Sequence, residues 1–189
     1  MTNTVEPIGF DVPALDVYPS FTDRYFQAKY LVDADTKVHE DHCVLIHSNR
    51  ICVVTLAPSH PVVAFQKTIS SINFQIGDKT NRLNNIVQGK RKHGAQGLKP
   101  EAILCEIQCE DGLKYSVQSC VHGKLIEINE NLVKNPQLLV EKPKSDGYIA
   151  IILPHLSKND KFQSNLVLEE EYMKVVAERK VKVENVPHT

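Results

Sequence analysis

Histidine and cysteine side chains, the ligand types that zinc prefers, cluster around residue 43. His39, His42, Cys43 and His47 follow one another closely, but their spacing matches no four-ligand zinc site, and no second pair stands at a finger-like distance. If the segment is a β-strand, His42 and Cys43 point to opposite faces. We therefore predict surface histidines, a buried thiol and no tightly bound metal.

Cysteine and histidine also lie close together further along the chain, as they do in thiol enzymes. Cys120 and His122 would lie side by side on a strand, but no acid that could orient the histidine is evident. Cys105 and Cys109 share a strand face with Ile107, a pattern typical of small core residues. These cysteines are predicted to pack in the core, and the chain is predicted not to be an enzyme.

One run of basic residues could bind an acidic partner. Lys90, Arg91, Lys92 and His93 stand between two glycines, neither followed by the Gly-Lys-Ser/Thr ending of a phosphate loop. Three further basic residues lie near this run: Lys79, Arg82 and Lys99. The run fits a solvated loop, a salt-sensitive docking element or a nuclear localisation signal. RNA binding is a further alternative, but aromatic stacking residues are absent from the run.

Bulk composition limits the class of protein. The chain has 189 residues, 42% of them hydrophobic, a formal net charge of −1, no Trp and only 6% aromatic residues. The hydrophobic content predicts a single packed domain. The net charge predicts no overall positive potential that would attract nucleic acid. Five irregularly spaced cysteines favour reduced thiols in the nucleus or cytoplasm. No stretch approaches the ~20 apolar residues of a membrane span. The N-terminal residues do not have the pattern of a signal peptide.

Hydrophobic periodicity predicts a mainly β chain that ends in a helix. Strands are predicted over 43–46, 51–54, 68–76, 103–108, 114–121, 124–128 and 148–153. Turns are predicted over 48–50 and 110–112, and a polar loop over 77–100. Helices are predicted over 21–30, capped by Thr22 or Asp23, over 130–135 and over 168–181. The last helix is expected to dock on its own core, with a partner surface as the alternative.

The segment 123–153 resembles the C-terminal half of the glycine cleavage system H protein. The matching positions are Gly123, Leu125, Glu127, Ile128, Asn129, Leu132, Pro136, Leu138, Pro143, Gly147 and Tyr148. The resemblance implies a barrel-sandwich hybrid, the fold of lipoyl and biotinyl carrier domains. The position that corresponds to the lipoyl lysine is Gly112, and Lys114 falls inside the next predicted strand. We therefore predict that the fold is kept and that no lipoyl cofactor is attached.

Blocks spread over nearly the whole chain resemble those of the Abitram family. They are 23–26, 40–43, 47–52, 59–62, 94–96 and 147–150. The resemblance implies actin binding, in the monomeric or filamentous form, with effects on polymerisation and filopodia. It also implies residence in nuclear speckles, the cytoplasm and actin-rich projections such as lamellipodia, growth cones and dendrites. No actin-contacting residue is carried over from the family.

Together these patterns predict a mainly β barrel-sandwich hybrid with short helices and a C-terminal helix. The predicted divisions are a flexible lead over 1–20, a β domain over 21–156, and a helix and tail over 157–189. The predicted partner is actin, bound through Lys90, Arg91, Lys92 and His93, with no cofactor, metal, membrane or small-molecule substrate. A nuclear nucleic-acid or transcription adaptor that uses the same basic residues is the alternative, and a lipoyl-type carrier is less favoured.

Overall fold

A computed structural model describes residues 20–155 and 163–184. The strands are β1 Phe26–Leu31, β2 His42–His47, β3 Cys52–Leu56, β4 Ile69–Asn73, β5 Gln75–Ile76, β6 Thr80–Asn81, β7 Gly97–Leu98, β8 Ile103–Cys109, β9 Lys114–Gln118, β10 Gly123–Ile128, β11 Ala150–Pro154 and β12 Val167–Leu168. The helices are α1 Phe21–Tyr25, α2 Pro61–Ala64, α3 Asn131–Lys134, α4 Leu138–Glu141 and α5 Glu169–Glu184. The mainly β fold with a C-terminal helix is confirmed.

The strands form a seven-stranded sheet in the order β12-β1-β2-β3-β11-β10-β7 and a three-stranded sheet in the order β4-β8-β9. The small β5–β6 pair is not hydrogen-bonded into either of these sheets. The predicted hairpin of β2 and β3 is present, with Val44 opposite Val54. Its turn contains Asn49, whose Oδ1 accepts from Ile51 N at 3.0 Å.

The main core lies between the two larger sheets. Val44 and Val54 from the large sheet and Ile107 and Val117 from the small sheet are all fully buried in one cluster. Cys105 and Cys109 belong to the same cluster, which confirms the prediction that they act as core residues. Burial of this apolar area is the main stabilising contribution to a fold of this kind.

The large sheet is covered on its other face as well. Cys43 and Leu45 point away from the main core into a second cluster, where Tyr30 stacks on Tyr172 of α5 at 3.9 Å between ring centroids. The prediction that the C-terminal helix docks on its own domain is confirmed. Because both faces of β2 are covered, the strand is almost continuously apolar.

Two predicted helices and one predicted helix cap need correction. The helix predicted over 21–30 ends at Tyr25, and Phe26–Leu31 is a strand; its side chains alternate toward α5 rather than following a helical period. The helix cap is Ser20, whose Oγ accepts from Asp23 N, rather than Thr22 or Asp23. Leu168 lies in β12, opposite Lys29 of β1, and not in the helix.

The predicted flexible lead lies outside the described residues apart from Ser20, and the domain limits 21–156 and 157–189 remain predictions. None of the described helices is both long and apolar enough to cross a bilayer.

Candidate partner-binding site

The basic run, here called the basic patch (Lys90–His93), lies on an ordered turn between the 3-10 turn Arg82–Asn84 and β7. Gln88 and His93 exchange both backbone hydrogen bonds at 2.9 Å, and Lys92 N donates to Gly89 O at 3.1 Å. Gly89 has a φ of +63° and Lys92 a φ of +52°, so the turn uses the left-handed region that glycine adopts freely. The chain reversal therefore has a defined backbone geometry.

Hydrogen bonds from side chains connect the loop that carries this turn to β10. Lys124 Nζ donates to Arg91 O at 2.9 Å and to Lys92 O at 3.3 Å. Asn85 Nδ2 donates to Leu125 O at 2.9 Å, at the point where the loop begins. These contacts satisfy backbone carbonyls with side-chain donors and hold the loop against the sheet.

The side chains of the basic patch largely face solvent. Lys90, Arg91 and His93 are exposed and Lys92 is half-buried. Ile86, in the same loop, is 63% exposed, which adds an apolar side chain beside the cations. Such a surface can make a salt-sensitive contact with an acidic protein. The role of the four basic residues in partner binding stays a prediction.

Arg82, which the sequence placed beside the basic run, is not part of this surface. It is only 8% exposed, with Nε donating to Ile103 O at 3.0 Å and Nη1 to Gln96 Oε1 at 2.8 Å. Burial lowers the pKa of its guanidinium. Lys79 lies with Arg82 on a separate polar pocket of about 460 Å³.

The β8–β9 hairpin tip, where the lipoyl carriers hold their lysine, is a tight glycine turn. Gly112 has a φ of +85° and donates to Cys109 O at 3.1 Å. Asp111 accepts from Leu113 N at 3.0 Å and pairs with Lys67. Lys114 begins β9 opposite Gln108, as predicted, so it lies in the strand and not at the tip.

The predicted surface position of His42 is wrong. His42 and His60 are both fully buried, with ring centroids 6.0 Å apart. On β2, His42 alternates with Cys43 and therefore points, like Val44, toward the main core rather than toward α5. Desolvation lowers the pKa of His42 to about 4 and that of His60 to about 3. His60 Nδ1 accepts from Val62 N at 3.3 Å and caps α2. Within residues 20–155 and 163–184, no three metal-ligating side chains are placed to share an ion.

The cysteines are buried thiols rather than nucleophiles. All five are free and buried, and burial raises the pKa of Cys43 and Cys52 to about 12 and raises that of Cys120 still further. Cys120 lies in the turn after β9 with a φ of +63°, whereas His122 is exposed. The expectation that these two share a strand face is therefore wrong. A thiol with a raised pKa is a poor nucleophile at neutral pH.

A buried charge network, which the sequence analysis missed, fastens α5 to the large sheet. Asp41, fully buried, accepts from Arg179 Nη1 at 2.6 Å and from Ser59 Oγ. Tyr172 donates to Ser59 Oγ at 2.6 Å, and Arg179 Nη2 reaches Asp33 Oδ1 at 2.6 Å. Burial acts to raise the pKa of Asp41, but the bonds from Arg179 and Ser59 outweigh it and lower that pKa. Only the helical spacing of Tyr172, Val176 and Arg179 signalled this contact in the sequence.

An apolar groove of about 620 Å³ adjoins this network, between α5 and the segment after α2. Its lining includes Phe65 and Met173, which are 75% and 60% exposed, together with Val176 and Ala64. Large exposed apolar side chains in one groove mark a second surface on which a partner could dock.

Comparison with known proteins places these features in context. A family model described as "Glycine cleavage H-protein" matches residues 78–179. Proteins called "Protein Abitram" match over most of their length: that of Bos taurus is 47% identical over 94% of this chain and 95% of its own. That of Homo sapiens is 49% identical over 86% and 90%, and that of Dictyostelium discoideum is 41% identical over 81% and 86%.

The fold has a relative among solved structures. A glycine cleavage system H protein from Mycobacterium marinum superposes with a TM-score of 0.53 over 79% of this chain and 96% of that protein. The two sequences are 10% identical in this alignment, so the likeness concerns the fold alone. It confirms the H-protein-like architecture predicted from segment 123–153.

Proposed function

This chain belongs to the Abitram family and contains a glycine cleavage H-protein domain, and we propose that it is a non-enzymatic, actin-binding regulatory protein. In this proposal it modulates actin polymerisation and the dynamics of filopodia and other cell projections, and it also resides in nuclear speckles. The observation that supports the proposal is the basic patch, which is ordered and faces solvent and is the proposed binding surface.

Support for a non-catalytic role comes from the groups that could have carried catalysis. The thiols have raised pKa values in the core, and the buried His42 and His60 have pKa values that keep them neutral above pH ~6. Neither an activated thiolate nor an accessible general base is assembled by these residues. The H-protein-like domain then serves as a binding scaffold.

Support for the loss of carrier function comes from the β8–β9 tip. A lipoyl arm must leave from an exposed lysine at the hairpin tip, and that place holds Gly112 between Asp111 and Leu113. The domain therefore keeps the carrier architecture without the side chain that the cofactor requires.

Support for an acidic partner comes from charge and geometry together. Lys90, Arg91 and His93 project from a turn whose backbone is tied to Lys124. A preformed turn loses less conformational entropy on binding than a mobile segment, and its cations raise the association rate with an acidic surface. Actin has such a surface, and Ile86 supplies an apolar contact beside the charges.

The test is binding to purified actin in both forms. Full-length protein should pellet with filamentous actin or bind fluorescently labelled monomers, and it should change the time course of polymerisation at stoichiometric ratios. Absence of binding to both forms at low salt would overturn the proposal. The alternative, a nucleic-acid or transcription adaptor, would instead bind single-stranded RNA or DNA with a steep salt dependence.

A further inference from the structure

Arg82 is a buried cation. Its side chain donates to Ile103 O and Gln96 Oε1, and a guanidinium has five N–H donors in all. Among residues 20–155 and 163–184, no carboxylate lies within ion-pair distance of it. A buried charge without a partner is costly unless something else balances it.

Arg82, with its remaining N–H donors, lines the polar pocket of about 460 Å³. Lys79, Thr80, Asn84 and Gln96 line the same pocket, and its lining includes no Asp or Glu. Lys79 is exposed at the rim. The pocket therefore combines two cations with neutral hydrogen-bonding side chains.

We propose that this pocket binds a phosphate group, held by the Arg82 guanidinium and the Lys79 ammonium. A dianionic phosphate balances the two positive charges, whereas a carboxylate balances only one of them. The planar fork of arginine suits bidentate contacts with phosphate oxygens, and a lysine adds a compact point charge. Thr80 and Asn84 supply further polar contacts at the wall.

The fold positions Arg82 for this role. Asn81 caps the 3-10 turn Arg82–Asn84 by accepting from Leu83 N at 2.9 Å. Gln96 holds the guanidinium from one side and donates through Nε2 to Asn81 O at 2.8 Å. Because Gln96 ends the loop that carries the basic patch, the site adjoins that patch but uses different residues.

The experiment uses the full chain in a phosphate-free buffer of constant ionic strength. Inorganic phosphate and a phosphate ester, adenosine monophosphate, are titrated separately and followed by calorimetry and by backbone amide shifts. We expect saturable binding, with shifts centred on residues 79–84 and 96–97. The tighter of the two probes distinguishes free phosphate from a phosphate ester as the ligand.

Two variants and a control make the result specific. Lys79→Ala should weaken binding about tenfold, as loss of a charged hydrogen bond does, and Arg82→Lys should weaken it at least as much because the fork is lost. Lys114→Ala, at the far end of β8–β9, should bind like the parent. Absence of saturation by both probes, or unchanged binding by Lys79→Ala, would overturn the site. Shifts confined to residues 90–93 would also overturn it.

Discussion

At the scale of single residues, Gly147 is the described glycine with the least room for a side chain. A Cβ there would lie 2.0 Å from Leu138 O and 2.8 Å from Lys142 O, so the backbone of α4 leaves no room for a side chain. The sequence marks this glycine through its resemblance to the H protein. The structure gives the reason, which is the close approach of two chain segments.

We therefore expect Gly147→Ala to lower the free energy of unfolding by roughly 3 kcal/mol or more, a large effect of the kind that overpacking produces. Urea unfolding measures it. Gly97→Ala is the matched control, because a Cβ at Gly97 meets nothing within 4 Å. Its effect should stay below about 1 kcal/mol. Equal stability of the two variants would contradict the steric account.

The buried histidines make stability depend on pH. The folded-state pKa values of His42 and His60 are lowered to about 4 and about 3, below the ordinary ~6.5 of an unfolded chain. Below pH ~6.5 the unfolded state binds protons that the folded state does not. Stability is therefore fully present above that pH and falls by up to about 1.4 kcal/mol per pH unit and histidine as the pH drops toward 4.

His42→Leu should flatten this loss, as measured by urea unfolding between pH 7 and 4.5. His93→Ala removes an exposed histidine and should leave the slope unchanged. A variant at His42 with the same slope as the parent would show that burial of this ring is not the source of the acid sensitivity.

At the scale of elements, α5 is fixed by a charge network as well as by the stacked tyrosines. Arg179→Gln removes the cation that neutralises the fully buried Asp41. Because breaking a buried pair leaves an uncompensated charge, the cost should be about 3 kcal/mol. The free energy of unfolding and the rate of proteolysis within α5 report it.

Lys174→Gln removes an exposed charge of the same helix and serves as the control. Addition of Asp41→Asn to the Arg179 variant should recover part of the lost stability, because the orphaned carboxylate is then neutral. Additive losses in the double variant would contradict direct coupling of the two side chains.

The β8–β9 hairpin carries a prediction of its own. Because Gly112 occupies the tip and Lys114 lies in β9, the protein purified from its own cells should have an intact mass without a lipoyl addition. Lipoyl modification at Lys114 would contradict the account of this tip.

At the scale of the whole molecule, the features that could be predicted from the sequence are those that short-range patterns determine. The β2–β3 and β8–β9 hairpins follow from turn residues between apolar runs, and the H-protein motif led to the architecture. Glu127 and Asn129 of that motif meet the 146–148 segment: Tyr148 OH donates to Glu127 at 2.5 Å, and Asn129 Nδ2 to Asp146 O at 2.7 Å.

Burial that depends on contacts between segments distant in sequence could not be predicted. His42 shares the β2 face of Val44, which points into the main core, and its ring lies 6.0 Å from that of His60. The covering of this face depends on segments that are distant in sequence, so nothing local indicated that His42 would be buried. The separation of Arg82 from the basic run likewise depends on its contact with Ile103, 21 positions away. The basic patch could be found from the sequence because it is a contiguous run, whereas the groove beside Phe65 is assembled from distant segments.

The proposed docking of the basic patch on an acidic actin surface can be measured by co-sedimentation of a charge-matched pair of variants with filamentous actin over a range of salt concentrations. Lys90→Ala/Arg91→Ala removes two exposed patch cations, and Lys114→Ala/Lys174→Ala removes two exposed cations elsewhere. We expect unchanged melting curves for both, with weaker binding and a flatter salt response only for the patch variant. Co-sedimentation of the patch variant at the level of the control at low and high salt would contradict this docking and redirect the search to the groove beside α5.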